Sequence, residues 1–170
     1  MKGIILYASN TGNTKRFAEK LYEVLNECYD MTLERRSKDI NMEDYDFALV
    51  GSWIEQGHLE KKTSELIEST KQQNLGIFAT MGTDPETPHG EEVKKALEEQ
   101  LKDKNALGVQ IRRGKVAQKL IERLDKIPEN IVPKEFKEQM YEASIHSKVA
   151  SGEELQESAE FFKEKIGKIQ

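Results

Sequence analysis

Residues 3–14 read Gly-Ile-Ile-Leu-Tyr-Ala-Ser-Asn-Thr-Gly-Asn-Thr. The first six are apolar, as a strand covered on both faces requires. From Lys15 the pattern changes, and Phe17, Ala18, Leu21, Val24 and Leu25 recur at helical spacing up to Cys28. Ser9, Asn10, Thr11, Gly12, Asn13 and Thr14 therefore form a turn between the carboxyl end of a first strand and the start of a helix. Such a turn collects unpaired backbone N–H groups at the positive end of a helix dipole, which suits a phosphate. Three hydroxyls and two amides add neutral donors, and no Lys or Arg lies inside the turn. The stretch thus reads as a cradle that holds a phosphate monoester by dipoles rather than by countercharge. The plainer reading is an N-capped helix after a buried strand.

Other phosphate loops do not fit. Gly12-Asn13-Thr14-Lys15 lacks the Gly-Lys-Ser/Thr ending of a Walker A loop. Gly12 is alone where a dinucleotide fingerprint needs three glycines. A receiver domain would need acids after the first strand and an Asp ending the third, where Ser9-Asn10 and Gly51-Ser52 stand. A phosphatase loop would need a Cys and an Arg.

Outward from this turn, strand-like and helix-like segments alternate. Strands are expected over 31–35, 46–51, 75–80 and 106–111, and helices over 59–69 and 90–101. This alternation predicts an α/β fold, a doubly wound parallel sheet with right-handed crossovers. Ser151 and Glu154 stand at capping-box spacing before a last helix carrying Leu155, Ala159, Phe162 and Ile166. Residues 115–150 form an extra excursion, helical over 115–126 and 134–142 and broken by Pro128 and Pro133. At 170 residues the chain is read as a single domain, 1–170.

Composition narrows the function. Thirty-one acids against 26 bases give a formal net charge of −5. Nonspecific nucleic-acid binding is disfavoured, and a partner with a basic patch is favoured. Cys28 is the one cysteine, so no intramolecular disulfide or cysteine metal cluster can form. His58, His89 and His146 show no metal-ligand spacing. No apolar run reaches membrane-spanning length and no signal peptide is visible, so membrane insertion is not expected and the cytoplasm is the expected location.

In a doubly wound sheet a ligand binds beyond the carboxyl ends of the strands, where strand order reverses. Loops 9–14, 52–58 and 80–89 reach that edge. The second, Ser52-Trp53-Ile54-Glu55-Gln56-Gly57-His58, holds the single tryptophan of the chain, a stacking surface for a flat ring. The third opens Thr80-Met81-Gly82-Thr83-Asp84 and offers backbone groups to the rim of such a ring. A phosphate seat, an aromatic platform and a polar rim imply a phosphorylated planar heterocycle, and flavin mononucleotide (FMN) fits best.

On these residues the sequence resembles the flavodoxin family. Ser9 to Thr14 match its Thr/Ser-x-Thr-Gly-x-Thr loop, Gly51-Ser52-Trp53 its first flavin loop, and Thr80-Met81-Gly82 the start of its second. The match covers about 1–114 with the terminal helix. Trp53-Ile54-Glu55-Gln56-Gly57 and Gly114-Lys115-Val116 look like a less studied subgroup. The resemblance implies a three-layer sandwich around a five-stranded parallel sheet of order 2-1-3-4-5 with helices on both faces, and an electron carrier that shuttles electrons between a reductase and an acceptor enzyme. Ser9, Asn10, Thr11, Asn13 and Thr14 would hold the phosphate, with Gly12 allowing close approach. Ser52 and Trp53 would flank the ribityl chain and the ring, and residues 80–84 would meet the pyrimidine edge. Glu55 and Asp84 would be the nearest acids and would disfavour an anionic reduced flavin.

Three departures from the family follow. Ile54 stands where many flavodoxins have a glycine, which implies a less stabilised neutral semiquinone and relatively favoured two-electron transfer. The tyrosine that covers the outer ring face is missing, leaving Met81, His89 or open space. The 115–150 excursion, with His146, would serve as a docking or dimer surface, or as a solvated lid; the oligomeric state is left open. The alternatives to a carrier are a flavin enzyme acting directly on a quinone or other small substrate, with His58 and His89 as acids, and a binding module without cofactor.

Overall fold

The computed structural model describes residues 1–116, 118–146 and 148–169, the side chain of His146 excepted. The surface role suggested for His146 therefore lies outside the described residues. Five parallel strands form the sheet: β1 (Lys2–Tyr7), β2 (Asp30–Arg35), β3 (Phe47–Glu55), β5 (Asn74–Met81) and β6 (Asn105–Arg113). Their spatial order is β2-β1-β3-β5-β6, and a two-residue strand, β4 (His58–Leu59), pairs antiparallel with the end of β3. The expected order of the parallel strands is thus observed, with one strand added.

Alternation along the strands builds two cores. Ile5, Phe47, Leu49 and Phe78 face one side, where they pack with Phe17 and Leu21 of α1 (Asn13–Leu25) and Phe162 of α6 (Gly152–Ile166). Ile4, Leu6, Ala48, Val50, Ile77 and Ala79 face the other. There they meet Ile67 of α2 (Lys61–Ser69) and Val93 and Leu97 of α3 (Pro88–Gln100). This double coverage is why β1, β3 and β5 read as unbroken apolar runs. The capping box expected at α6 is present: Ser151 Oγ accepts from the Glu154 N–H at 3.1 Å, and Glu154 Oε2 accepts from the Ser151 N–H at 2.7 Å.

One boundary differs in a way that matters to the site. Residues 52–58, expected to be a loop, instead continue β3 to Glu55 and turn back as a hairpin. Ile54 pairs with Leu59, and Glu55 with His58. Gln56 and Gly57 carry φ of 50° and 80°, the two positive values that a two-residue hairpin turn requires. The apolar side chains explain it: Leu59 is buried and Ile54 packs on the α2/α3-side core. Leu59 therefore ends a strand rather than opening α2, whose N-cap is Glu60.

The excursion after β6 contains α4 (Gln118–Asp125) and α5 (Lys134–His146). It leaves and rejoins the sheet at one point, since the Ala150 N–H donates to the Arg113 carbonyl at 3.1 Å.

Candidate functional site

The turn 9–14 holds its own shape. Ser9 Oγ accepts from the Gly12 N–H at 3.1 Å, and Thr11 Oγ1 accepts from Asn13 Nδ2 at 3.0 Å. Both hydroxyls act as acceptors here, so their own O–H hydrogens remain to be donated outward. Gly12 is the N-cap of α1 with φ 91°, no side chain caps the helix, and its first turn holds no acid. A Cβ built on Gly12 would meet nothing within 4 Å. An uncapped helix start with open space above its glycine fits a phosphate monoester, because the first N–H groups of a helix have no intrahelical acceptor.

Thr14 is turned inward. It is 1% exposed, and its Oγ1 lies 2.8 Å from Thr80 Oγ1 at the end of β5. Its N–H stays in the first turn of α1. Thr80 in turn is the register partner of Trp53 on β3. Trp53 is half-buried. By strand alternation it lies on the same face as Leu49, the face covered by α1. Buried Thr14 and Thr80 thus tie the start of α1 to Trp53 at the carboxyl edge of the sheet. Ser52 does not share the face of Trp53: alternation sends it to the α2/α3 side, fully buried, where its Oγ donates to the Trp53 carbonyl at 3.3 Å. Ile54 is on that side too. Glu55 and Gln56 are exposed at the hairpin tip, and His89 at the start of α3 stands beside Gly57, where a Cβ would come within 3.9 Å of it.

The third segment is ordered by its own polar groups. Met81 is buried within the α2/α3-side core. Asp84 forms an ion pair with Arg113 and accepts from the Glu86 N–H at 3.0 Å. Thr87 Oγ1 donates to the Asp84 carbonyl at 2.8 Å and accepts from the Gly90 N–H at 3.2 Å, capping α3. Asp84 thus has its charge countered, whereas Glu55 stands at the rim. Thr83 is exposed and Gly82 half-buried. A cleft of about 230 Å³ opens beside Asp84 and Arg113, between α3 and β6. Its lining includes neither the turn 9–14 nor Trp53, so it is a separate depression.

Sequence reasoning missed two features of this edge. A strap of Gly114, Lys115 and Val116 lies across it: Asn13 Nδ2 donates to the Lys115 carbonyl at 3.1 Å, and a Cβ on Gly82 would come within 2.6 Å of Val116. Gly114 is buried, and a Cβ there would sit 3.0 Å from Asn13 Nδ2. Arg35, at the end of β2, donates from Nη2 to the Ser9 carbonyl at 3.4 Å. The expected strand order already set the end of the second strand beside the first, so Arg35 was within reach of a topological argument. Nothing local announces Lys115, 102 residues from Asn13.

A sequence model of the flavodoxin domain matches residues 4–163. A flavodoxin-like domain-containing protein, BilS, of Clostridioides difficile (strain CD3) is 32% identical over 123 residues, covering 71% of this chain and 70% of that protein. Among solved structures, oxidised flavodoxin 2 of Bacillus cereus superposes with a TM-score of 0.60 at 19% identity, covering 97% of this chain and 99% of that one. The flavodoxin of Streptococcus pneumoniae TIGR4 gives 0.57 at 14% identity, over 99% and 100%. At these identities the two structures speak to the fold.

Proposed function

Because this chain belongs to the flavodoxin family of FMN-binding electron-transfer flavoproteins, we propose that it carries electrons between a reductase and an acceptor enzyme. The observation that supports this reading is the uncapped start of α1, open above Gly12 and tied to Trp53 through Thr14 and Thr80. The bound flavin supplies the redox chemistry, accepting and releasing electrons. The chain's own residues bind and orient it. The first N–H groups of α1 and the hydroxyls of Ser9 and Thr11 hold the phosphate. Trp53 flanks the ring, and the backbone at 82–84 and the hairpin tip at 55–57 bound its rim.

A second reading rests on Met81. Its burial leaves His89 as the remaining candidate to cover the outer ring face. An uncovered ring would let a quinone or similar small molecule meet the flavin directly. One experiment separates the two. The purified protein is examined by absorption spectroscopy for bound flavin, then mixed anaerobically with NAD(P)H and a quinone. Turnover by the protein alone favours the enzyme, and reduction only on adding a flavodoxin reductase favours the carrier. A colourless protein that stays flavin-free after incubation with FMN defeats both.

A further inference from the structure

The turn 9–14 contains no cation, yet the guanidinium of Arg35 reaches one end of it and the backbone of Lys115 adjoins the other. Arg35 reaches the Ser9 carbonyl at 3.4 Å, and the Lys115 carbonyl is seated on Asn13 at 3.1 Å. Three other cations near this edge have partners. Arg36 pairs with Glu60, Lys15 with Glu19 at 3.5 Å, and Arg16 Nη1 donates to the Ala150 carbonyl at 2.7 Å. Arg35 and Lys115 are exposed, and among the described residues neither has an acidic partner in an ion pair. The strap that carries Lys115 is held closely on both sides, with Gly114 against Asn13 and Val116 against Gly82.

We propose that Arg35 and Lys115 bracket the phosphate seat and supply the countercharge for the FMN phosphate, so that this chain selects the phosphorylated flavin by charge as well as by helix dipole. This inference rests on the FMN site described above. A dianion approaching a chain of net charge −5 meets long-range repulsion. Two cations at the seat offset it locally. Because both are exposed, their attraction is screened by salt, which gives the proposal a signature that backbone N–H groups and neutral hydroxyls do not share.

The test measures dissociation constants of FMN and of riboflavin, by loss of flavin fluorescence on binding, at low and high sodium chloride. Wild type is compared with R35Q, K115Q and the double variant. The expected result is FMN affinity that falls with salt in wild type. Each single substitution weakens FMN by about five- to tenfold, and the double variant weakens it further. Riboflavin affinity stays within about twofold throughout, and the fall of FMN affinity with salt is lost in the double variant, where screening acts only on repulsion. Unchanged FMN affinity in the double variant, a salt-independent wild type, or an equal loss for riboflavin overturns the proposal. Wild type that takes up neither flavin overturns the FMN site itself, a distinguishable failure.

Discussion

The hydroxyls of Thr14 and Thr80 share a buried hydrogen bond of 2.8 Å that ties the first turn of α1 to the end of β5. The two residues are 66 positions apart, and the bond sets how the phosphate turn sits relative to the strand that neighbours Trp53. Thr14→Val leaves the Thr80 hydroxyl without its partner and is expected to cost about 1–3 kcal/mol. The double change, Thr14→Val with Thr80→Val, removes both polar atoms and is expected to restore part of that loss. Urea denaturation of the three variants measures the coupling. FMN affinity should fall in both single variants, because the turn loses its anchor.

Arg36 and Glu60 form an ion pair at the same edge, with side chains 19% and 13% exposed. Glu60 also caps α2, accepting from the Thr63 N–H at 3.0 Å and from Thr63 Oγ1 at 2.9 Å. Burial pushes its carboxyl up. The hydrogen bonds from Arg36, Thr63 and the backbone outweigh that push and hold it below the usual 4.5. A carboxyl lowered in the folded state contributes stability above 4.5, and that contribution is lost as pH falls through the lower folded value. Acid denaturation should therefore begin below pH 4.5 with a component that Glu60→Gln removes. Melting temperature against pH for the two proteins tests this; parallel curves between pH 5 and pH 3 would contradict it.

Trp53 is the single tryptophan, so its emission reports on the proposed ring seat alone. Adding FMN is expected to quench that emission in step with the loss of flavin fluorescence. Trp53→Ala should weaken FMN by about tenfold or more, while Trp53→Phe retains most of the affinity because a flat ring remains. Quenching without any affinity change in Trp53→Ala would place the tryptophan near the flavin but not against it.

The alternation of apolar runs made the parallel sheet legible, because a parallel sheet covered on both faces leaves an apolar signature in each strand; its strand order came with the family likeness. The turn 9–14 was legible because its chemistry is contiguous in sequence. What could not be read was whatever the fold assembles from distant segments. The inward turn of Thr14 depends on Thr80, and the countered charge of Asp84 depends on Arg113. The strap at 114–116 depends on Asn13 and Gly82. The hairpin at 52–59 had a local signal in Gln56-Gly57 before the apolar Leu59, but Leu59 read as the start of the helix 59–69, which left 52–58 as a loop.

The excursion is where the fold spends the least of its core. Leu120, Ile131, Phe136, Tyr141, Ile145 and Val149 are each more than 40% exposed, and no described residue of α5 is buried. Its ends are already joined, since the Ala150 N–H meets the Arg113 carbonyl at 3.1 Å. Replacing 118–146 with a short Gly/Ser linker should therefore keep the sheet, the strap and the phosphate turn. Closing a shorter loop changes the chain entropy by only about 0.6 kcal/mol per halving of length, in favour of the shortened protein. Ile121, 4% exposed, is the one buried side chain that the replacement removes among the described residues of α4 and α5. The expected outcome is a cooperative melt within a few degrees of wild type, with FMN affinity retained. If the excursion serves electron exchange with a partner, reduction by an added reductase slows while FMN binding does not change. Loss of FMN binding with an intact melt would instead make the excursion part of the flavin seat.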